Sequence, residues 1–242
     1  MGIPSLAAML ATALIAIAVL AASGDNAIFM PGLLEGAWLT VRIAVVGCGL
    51  AVITATAAAL CRLYGPAPLR WLAVTYVEFF RGTSALVQLF WLFFVLPDFG
   101  IFMEPFTVAV LGLGLNVGAY GAEVVRGGIQ GVQRGQWEAT TALNMTRWQA
   151  LRRIILPQAF VAMIPPWGNL FIELLKSTAL VSLITMSDLT FKARTLNDFS
   201  MQTIPIFTLA LLMYLVLSLT ITIGMRWLER KSLRGMVRGR GR

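Results

Sequence analysis

Long apolar blocks alternate with short polar junctions along the chain. A hydrocarbon core of about 30 Å is crossed by roughly 20 residues of apolar helix. Blocks of this length lie at 36–61, 72–97, 104–125, 158–185 and 204–225, and a shorter one covers 6–22. The pattern predicts an all-α integral membrane protein with five main spans and one additional N-terminal helix.

The short block at 6–22 allows two interpretations. Its apolar core followed by Ala21-Ala22-Ser23 is typical of a signal peptide, but the basic start of such a peptide is missing. We expect a retained membrane helix, which forms an N-terminal segment at 1–30 together with the junction that follows it. The main transmembrane domain then covers 31–228.

Basic residues in the junctions predict the orientation, because Arg and Lys mark the cytoplasmic side. The junctions 23–35 and 97–105 contain no Arg or Lys, and in 187–203 the basic residues are balanced by acidic ones. Basic residues dominate the other junctions, which form the basic group: 62–70, 126–153 and the tail 229–242. We therefore expect the basic group on the cytoplasmic side of the membrane.

Composition narrows the chemistry further. Of the 242 residues, 58% are hydrophobic and 12% charged, with a mean hydropathy of +0.81, far from the balance of a soluble domain. The absence of histidine excludes imidazole catalysis and histidine-bound metals, and Cys48 and Cys61 do not suggest a disulfide framework. The net charge of +8 is concentrated after the last block, which indicates contact with membrane lipid and not with nucleic acid.

The polar segment 126–157 is predicted to form a helix, a tight turn and a second helix. Asn144 tolerates the left-handed backbone that ends a helix, and Thr146 with Gln149 has the spacing of a capping box. Pro157 is expected to bend the chain into the next span. The segment is either an amphipathic helix resting on lipid or a docking element for a cytoplasmic partner.

The same segment carries a recognisable signature. Glu138-Ala139, Asn144 and Ile154-Ile155-Leu156-Pro157 resemble the EAA motif, E-A-A-x3-G-x9-I-x-L-P, of permease subunits of ATP-binding-cassette (ABC) importers. Thr140 replaces the second alanine, and Asn144 replaces the glycine, although asparagine still permits a positive φ. Stretches that resemble the polar amino-acid branch of these importers lie at 80–89, 118–128 and 173–183.

The resemblance implies the five-helix fold of type I importer permeases, a location in the bacterial cytoplasmic (inner) membrane, and several partners. These are two ATP-binding subunits, a second permease chain, identical or paralogous, and an extracellular or periplasmic binding protein. ATP and Mg would be used by the ATPase alone, since the sequence has no G-x-x-x-x-G-K-[ST] loop, so no cofactor or enzymatic activity is expected here. The residues implied to couple to the ATPase are Trp137, Glu138, Ala139, Thr140, Leu143 and Asn144.

Polar side chains inside the spans are the candidates for a translocation path, because such groups are costly at membrane depth and usually pair or face a cavity. They are Glu78, Arg81, Gln88, Asn116, Glu123, Asn169, Glu173 and Lys176. Glu78 with Arg81, and Glu173 with Lys176, have the spacing of local helix pairs, so a purely structural role stays open. Gly82-Thr83 is expected to break its helix and expose backbone groups.

Small and aromatic residues add two expectations. The glycines of the 104–125 block serve either close helix packing, including a subunit interface, or room for substrate; they are Gly112, Gly114, Gly118 and Gly121. Tryptophans near the block ends are expected in the interfacial belt; they are Trp38, Trp71, Trp91, Trp167 and Trp227.

The substrate is indicated only by resemblance. The runs 83–94 and 115–121 look like permeases for ectoine and hydroxyectoine, which are zwitterionic compatible solutes, within the wider class of polar amino acids. A self-contained, ion-coupled secondary transporter is the alternative. Such transporters commonly show inverted repeats, and no convincing repeat is present.

Overall fold

The chain folds into a bundle of helices in the computed structural model, which describes residues 2–239 and the side chains of 2–23 and 26–233. The α-helices are α1 (Ile3–Ala22), α2 (Met30–Tyr64), α3 (Ala67–Gly82), α4 (Ala85–Phe90), α5 (Pro105–Gln130), α6 (Arg134–Ala142), α7 (Arg147–Ala150), α8 (Leu156–Ser177), α9 (Leu189–Ser200) and α10 (Thr203–Gly239). Tighter 3-10 turns occur at Gly24–Phe29, Leu96–Phe99 and Thr178–Ile184, and wider π turns at Trp91–Val95 and Leu151–Ile155. The predicted all-α class is confirmed.

Within the described residues, five helical runs are long and apolar enough to cross a membrane: Ile3–Ala22, Asn26–Tyr64, Pro105–Gln130, Arg147–Ile184 and Thr203–Leu233. The predicted block at 72–97 is divided between α3 and the helical stretch Ala85–Phe99, which meet at an angle of 106°. The expected break at Gly82-Thr83 is confirmed, since α3 ends at Gly82 and Thr83 is extended. Counted as one broken span, this pair gives a sixth crossing.

The core of the bundle is the contact between α2 and α5, where glycines allow the backbones to approach. A Cβ on Gly114 would lie 3.1 Å from the Gly47 carbonyl oxygen on α2, and one on Gly121 would lie 2.5 Å from Trp167 Cη2. The packing role is therefore confirmed, but these glycines pack inside one subunit. Trp167 is 9% exposed, so its assignment to an interfacial belt was wrong: its ring fills the space left by Gly121.

At the end of the bundle remote from α6, α9 is fastened to α2 and α10. Asp188 is fully buried and caps α9, with its carboxylate accepting from the amides of Thr190 and Phe191 at 3.1 and 3.0 Å. The Leu189 amide donates to Thr40 Oγ1 on α2 at 3.2 Å. Burial raises the pKa of the Asp188 carboxyl above its ordinary value. This end holds the junctions 23–35 and 187–203, which the charge pattern grouped together.

The two terminal helices pack against each other. α1 places Leu6 and Ala13 in the contact and leaves most of its surface exposed. α10 does not stop near 225 but continues as helix to Gly239, so the boundary predicted at 229 falls inside a helix. The last three residues of the predicted basic tail, 240–242, lie outside the described residues.

Candidate functional site

The segment 126–157 forms the predicted helix, turn and helix. Asn144 has φ +53°, in the left-handed region. The Asn144 amide donates to the Thr141 carbonyl at 2.9 Å and the Met145 amide to the Thr140 carbonyl at 3.0 Å, the two hydrogen bonds of a Schellman motif. Thr146 and Gln149 then form the predicted capping box. Hydrogen bonding on both sides of the turn thus fixes the orientation of α6 relative to α7.

The coupling residues predicted on α6 divide between two faces. Glu138, Ala139, Leu143 and Asn144 are exposed, and Leu143 keeps 72% of its surface. Trp137 packs against the core, and Thr140 is buried with its hydroxyl donating to the Trp137 carbonyl at 2.7 Å. Thr140, which replaces an alanine of the signature, therefore faces the bundle. The exposed group forms the surface that a partner can reach.

The helix after the turn is anchored directly in the bundle. Leu151 and Ile155 are buried, and Gln158 Nε2 donates to Gln136 Oε1 at 3.2 Å. The bend expected at Pro157 is not observed, because Leu156 stays right-handed and the chain is helical from Arg147 to Ile184. A π turn at Leu151–Ile155 ends two residues before the proline, and this wider turn accommodates the proline ring and its missing donor.

Glu123 on α5 is surrounded by three arginines from three parts of the chain. Its oxygens lie 2.5 Å from Arg62 Nη1, 2.6 Å from Arg126 Nη2 and 3.7 Å from Arg81 Nη1. Arg81 is the least tightly held of these, and its guanidinium stacks 5.6 Å from the centre of the Tyr120 ring. The expected local pair of Glu78 with Arg81 is therefore wrong, because Arg81 turns to α5 and Glu78 remains exposed.

Gln88 and Asn116 brace the break between α3 and α4. Gln88 Nε2 donates to Thr83 Oγ1 at 2.6 Å and to the Phe80 carbonyl at 3.1 Å. Asn116 Nδ2, from α5, donates to the same Phe80 carbonyl at 3.0 Å and to Gln88 Oε1 at 3.2 Å. A helix end leaves carbonyls without an intrahelical donor. These amides supply the missing donors, so the structure gives both residues a supporting role at the break.

Asn169, Glu173 and Lys176 share an exposed face of α8. They line a cavity of about 520 Å³ together with Ile172, Ser177 and Leu180. Among the ion pairs of the described residues there is none between Glu173 and Lys176, so the expected local pair was wrong here as well. Both side chains are exposed.

Comparison with known proteins agrees with this architecture. The profile described as "Binding-protein-dependent transport system inner membrane component" matches residues 47–234. The chain belongs to this family. The permease is 44% identical over 201 residues to a probable amino-acid ABC transporter permease of Sinorhizobium fredii, y4tF, covering 81% of this chain and 84% of the relative. It is 38% identical over 204 residues to the L-cystine transport permease TcyB of Bacillus subtilis, covering 84% and 87%.

A solved structure shows the same fold. The permease superposes on a chain of the crystal structure of an amino acid ABC transporter with histidines, with a TM-score of 0.81 and 33% identity, covering 86% of this chain and 97% of that one. The permease is thus an inner-membrane, multi-pass subunit of an ABC importer of the polar amino-acid branch. Family membership replaces the secondary transporter that the sequence left as an alternative.

Two residues that hold Glu123 were missed from the sequence. Arg62 and Arg126 were assigned to cytoplasmic junctions as topology signals, whereas both hold Glu123. The i,i+3 spacing of Glu123 and Arg126 was a signal that could have revealed one of them. Arg62 is 61 residues from Glu123, and no local pattern marks that contact.

Proposed function

We propose that the permease imports a small zwitterion by means of a separate ATPase whose groove receives α6. The observation that carries this proposal is the exposed end of α6, where Leu143 is 72% exposed beside the left-handed Asn144. A large apolar side chain on a hydrogen-bonded turn is suited to insertion into a partner's groove. The neighbouring polar residues Glu138 and Asn144 are poor contacts for lipid, which disfavours a helix resting on the membrane.

Motion of α6 has a direct route to the translocation path. α6 is tied to α8 by the Gln136–Gln158 hydrogen bond and by the packing of Trp137 against the core. The helical run from Arg147 to Ile184 then reaches Asn169, Glu173 and Lys176. A cavity of about 500 Å³ lies between Glu123, Gln136 and Gln158. Closure of the ATPase subunits on ATP and Mg would therefore move the walls of this cavity.

Arg81 is the residue that we propose binds the substrate carboxylate. Its side chain is 37% exposed, and its guanidinium lies 3.7 Å from the Glu123 carboxylate, whereas Arg62 and Arg126 make shorter contacts with the same carboxylate. Arginine binds a carboxylate through two parallel hydrogen bonds. The substrate class we propose is a polar amino acid or a related zwitterion, with ectoine and hydroxyectoine as specific candidates beside L-cystine, which the Bacillus relative transports.

Reconstitution tests the proposal. The permease is purified alone, then with its ATPase, and then with both ATPase and binding protein in proteoliposomes. We expect ATP hydrolysis only when the ATPase is present, and substrate-stimulated hydrolysis only when the binding protein is also present. Ectoine, hydroxyectoine, glutamine and L-cystine are compared as substrates.

Each component of the proposal has its own contrary result. ATP hydrolysis by an ATPase-free preparation would exclude the proposal that a separate subunit hydrolyses ATP. Stimulation by free substrate without the binding protein would show that the permease recognises its ligand unaided. Uptake driven by an ion gradient in the absence of ATP would exclude the ATP-driven mechanism.

A further inference from the structure

A narrow apolar groove runs along the outside of the bundle, between α2, α5, α8 and α10. Its cavity measures about 440 Å³ and is lined on α8 from Leu156 to Phe171. The other three helices complete the lining, with Val52, Val125 and Met225 among their contributions. All four walls belong to helical runs that are long and apolar enough to cross a membrane. The groove therefore lies at membrane depth.

The groove opens on the side of α8 opposite the polar face that carries Asn169. Phe160 lines the groove and is 55% exposed, and it is nine residues from Asn169, or two and a half turns of helix. Val52, on the facing wall, is 39% exposed. Thr56 Oγ1 donates to the Val52 carbonyl at 2.7 Å, so this hydroxyl of the lining is satisfied by its own helix. The groove thus offers a largely apolar surface to the surrounding bilayer.

The dimensions of the groove suit one acyl chain. Leu156 and Phe171 are fifteen residues apart, a rise of about 22 Å, which exceeds the depth of one leaflet, about 15 Å or half of the hydrocarbon core. An α-helix of that length and about 10 Å across occupies roughly 1,800 Å³, several times the volume of the cavity. A slender hydrocarbon chain therefore fits the groove, whereas a transmembrane helix of another protein does not.

Basic side chains lie at the end of the groove nearest α6. Arg152 and Arg153 are exposed and precede Leu156 by four and three residues, the spacing that places side chains on one helical face. Neither arginine has an ion pair within the part of the chain that the structure describes. On α10, Lys231 is exposed three residues beyond Leu228, which also lines the groove. Both walls therefore carry positive charge at this end.

We propose that the groove binds an anionic glycerophospholipid, with one acyl chain between Val52 and Phe160 and the phosphate on Arg152 and Arg153. Arginine binds phosphate through two parallel hydrogen bonds, and basic pockets between membrane helices recognise lipid head groups. Under the proposed function this end faces the cytoplasm, where the leaflet is anionic. The bound lipid fills the space between α2, α8 and α10.

Photolabelling of the full chain in detergent tests the site. The probe is a phosphatidylglycerol with a diazirine in one acyl chain, and the adducts are located by mass spectrometry of the digested permease. We expect adducts within 156–171 that are displaced by unlabelled phosphatidylglycerol but not by phosphatidylcholine with the same chains. Equal displacement by the two lipids shows no selection of the head group and overturns the proposal. Displacement by glycerol 3-phosphate shows binding of a free phosphate and also overturns it.

Charge variants test the two arginines. Combined Arg152→Gln and Arg153→Gln should reduce labelling below saturation to roughly one tenth, equivalent to about 1.4 kcal/mol. Combined Arg152→Lys and Arg153→Lys keeps both charges and should retain most of the labelling. Arg194→Gln is the matched control, because it removes an exposed arginine on α9, at the other end of the bundle. Wild-type labelling of the glutamine pair, or an equal loss in the Arg194 variant, contradicts the proposal.

Filling the groove tests the position of the acyl chain. Val52→Trp places an indole in the groove and should abolish labelling within 156–171. Ile53→Trp is the matched control, because Ile53 is 68% exposed and successive residues are about 100° apart round a helix. Equal labelling of the two variants contradicts the assigned groove.

The assembled transporter distinguishes a lipid from a protein occupant. Labelling should persist when the ATPase and the binding protein are present, whereas protection of 156–171 in the assembly would show that a partner protein covers the groove and would overturn the proposal. Lipid binding is measured here without transport or ATP hydrolysis. A failure of ATP-driven import would therefore leave the labelling result intact, and the two proposals fail separately.

Discussion

Arg62 on α2 donates to Glu123 on α5 across 2.5 Å, a contact that joins the two most closely packed helices of the permease. The side chains are 17% and 22% exposed, and Arg126 holds the other carboxylate oxygen. Glu123→Gln leaves these arginines without their anionic partner. We expect a loss of about 2 kcal/mol of stability, typical of hydrogen bonds to charged groups, seen as a lower Tm in detergent.

The control for Glu123 is Glu138→Gln on α6. Glu138 lies 3.2 Å from Arg134, but the side chains are 68% and 92% exposed, and surface pairs of this kind contribute little. The Tm of the Glu138→Gln variant should therefore stay at the wild-type value. Equal Tm values for the two variants would show that the arginine cluster does not stabilise the bundle.

Asn144→Gly and Asn144→Val should differ in coupling. Left-handed geometry costs an ordinary residue roughly 1–2 kcal/mol and more for a β-branched one, whereas glycine adopts it freely. We expect ATP-driven uptake to survive in the glycine variant. In the valine variant, membrane insertion should be normal but ATPase co-purification weakened or hydrolysis no longer linked to uptake. Full activity of the valine variant would remove the turn from the coupling mechanism.

Gln88→Leu should destabilise the break between α3 and α4. The variant removes the donor to Thr83 Oγ1 and one of the two donors to the Phe80 carbonyl, and groups left unsatisfied in this way cost about 1–3 kcal/mol. Gln202→Leu makes the same chemical change at an exposed position and should leave Tm unchanged. A Tm for Gln88→Leu equal to that of Gln202→Leu would show that Asn116 alone satisfies the break.

Asp188 should make the stability of the permease depend on pH. Burial raises the pKa of this carboxyl above its ordinary value of 3.8, so the unfolded chain ionises first as the pH rises. The contribution to stability is fully present below 3.8 and is lost as the pH rises through the higher folded-state pKa. Asp188→Asn cannot ionise, so its Tm should fall less than that of the wild type between pH 3.8 and neutrality. Parallel curves would show that Asp188 does not titrate differently in the folded state.

Local patterns in the sequence were sufficient to predict the membrane-spanning helices and the turn at Asn144. Apolar blocks predict spans because hydropathy summed over about 20 residues decides whether a helix enters the hydrocarbon core. Asn144, the Thr146–Gln149 capping box and the break at Gly82-Thr83 were predictable for a similar reason. Backbone preferences and capping hydrogen bonds act between residues only a few positions apart.

The partners of the charged side chains were decided only by the tertiary structure. Sequence spacing paired Glu78 with Arg81 and Glu173 with Lys176. Arg81 instead reaches Glu123 on another helix, and the described residues contain no ion pair between Glu173 and Lys176. Trp167 was likewise predicted at the membrane–water interface, but its ring fills the space beside Gly121. Spacing fixes which residues share a helical face, whereas the rotation and crossing of the helices fix what that face meets.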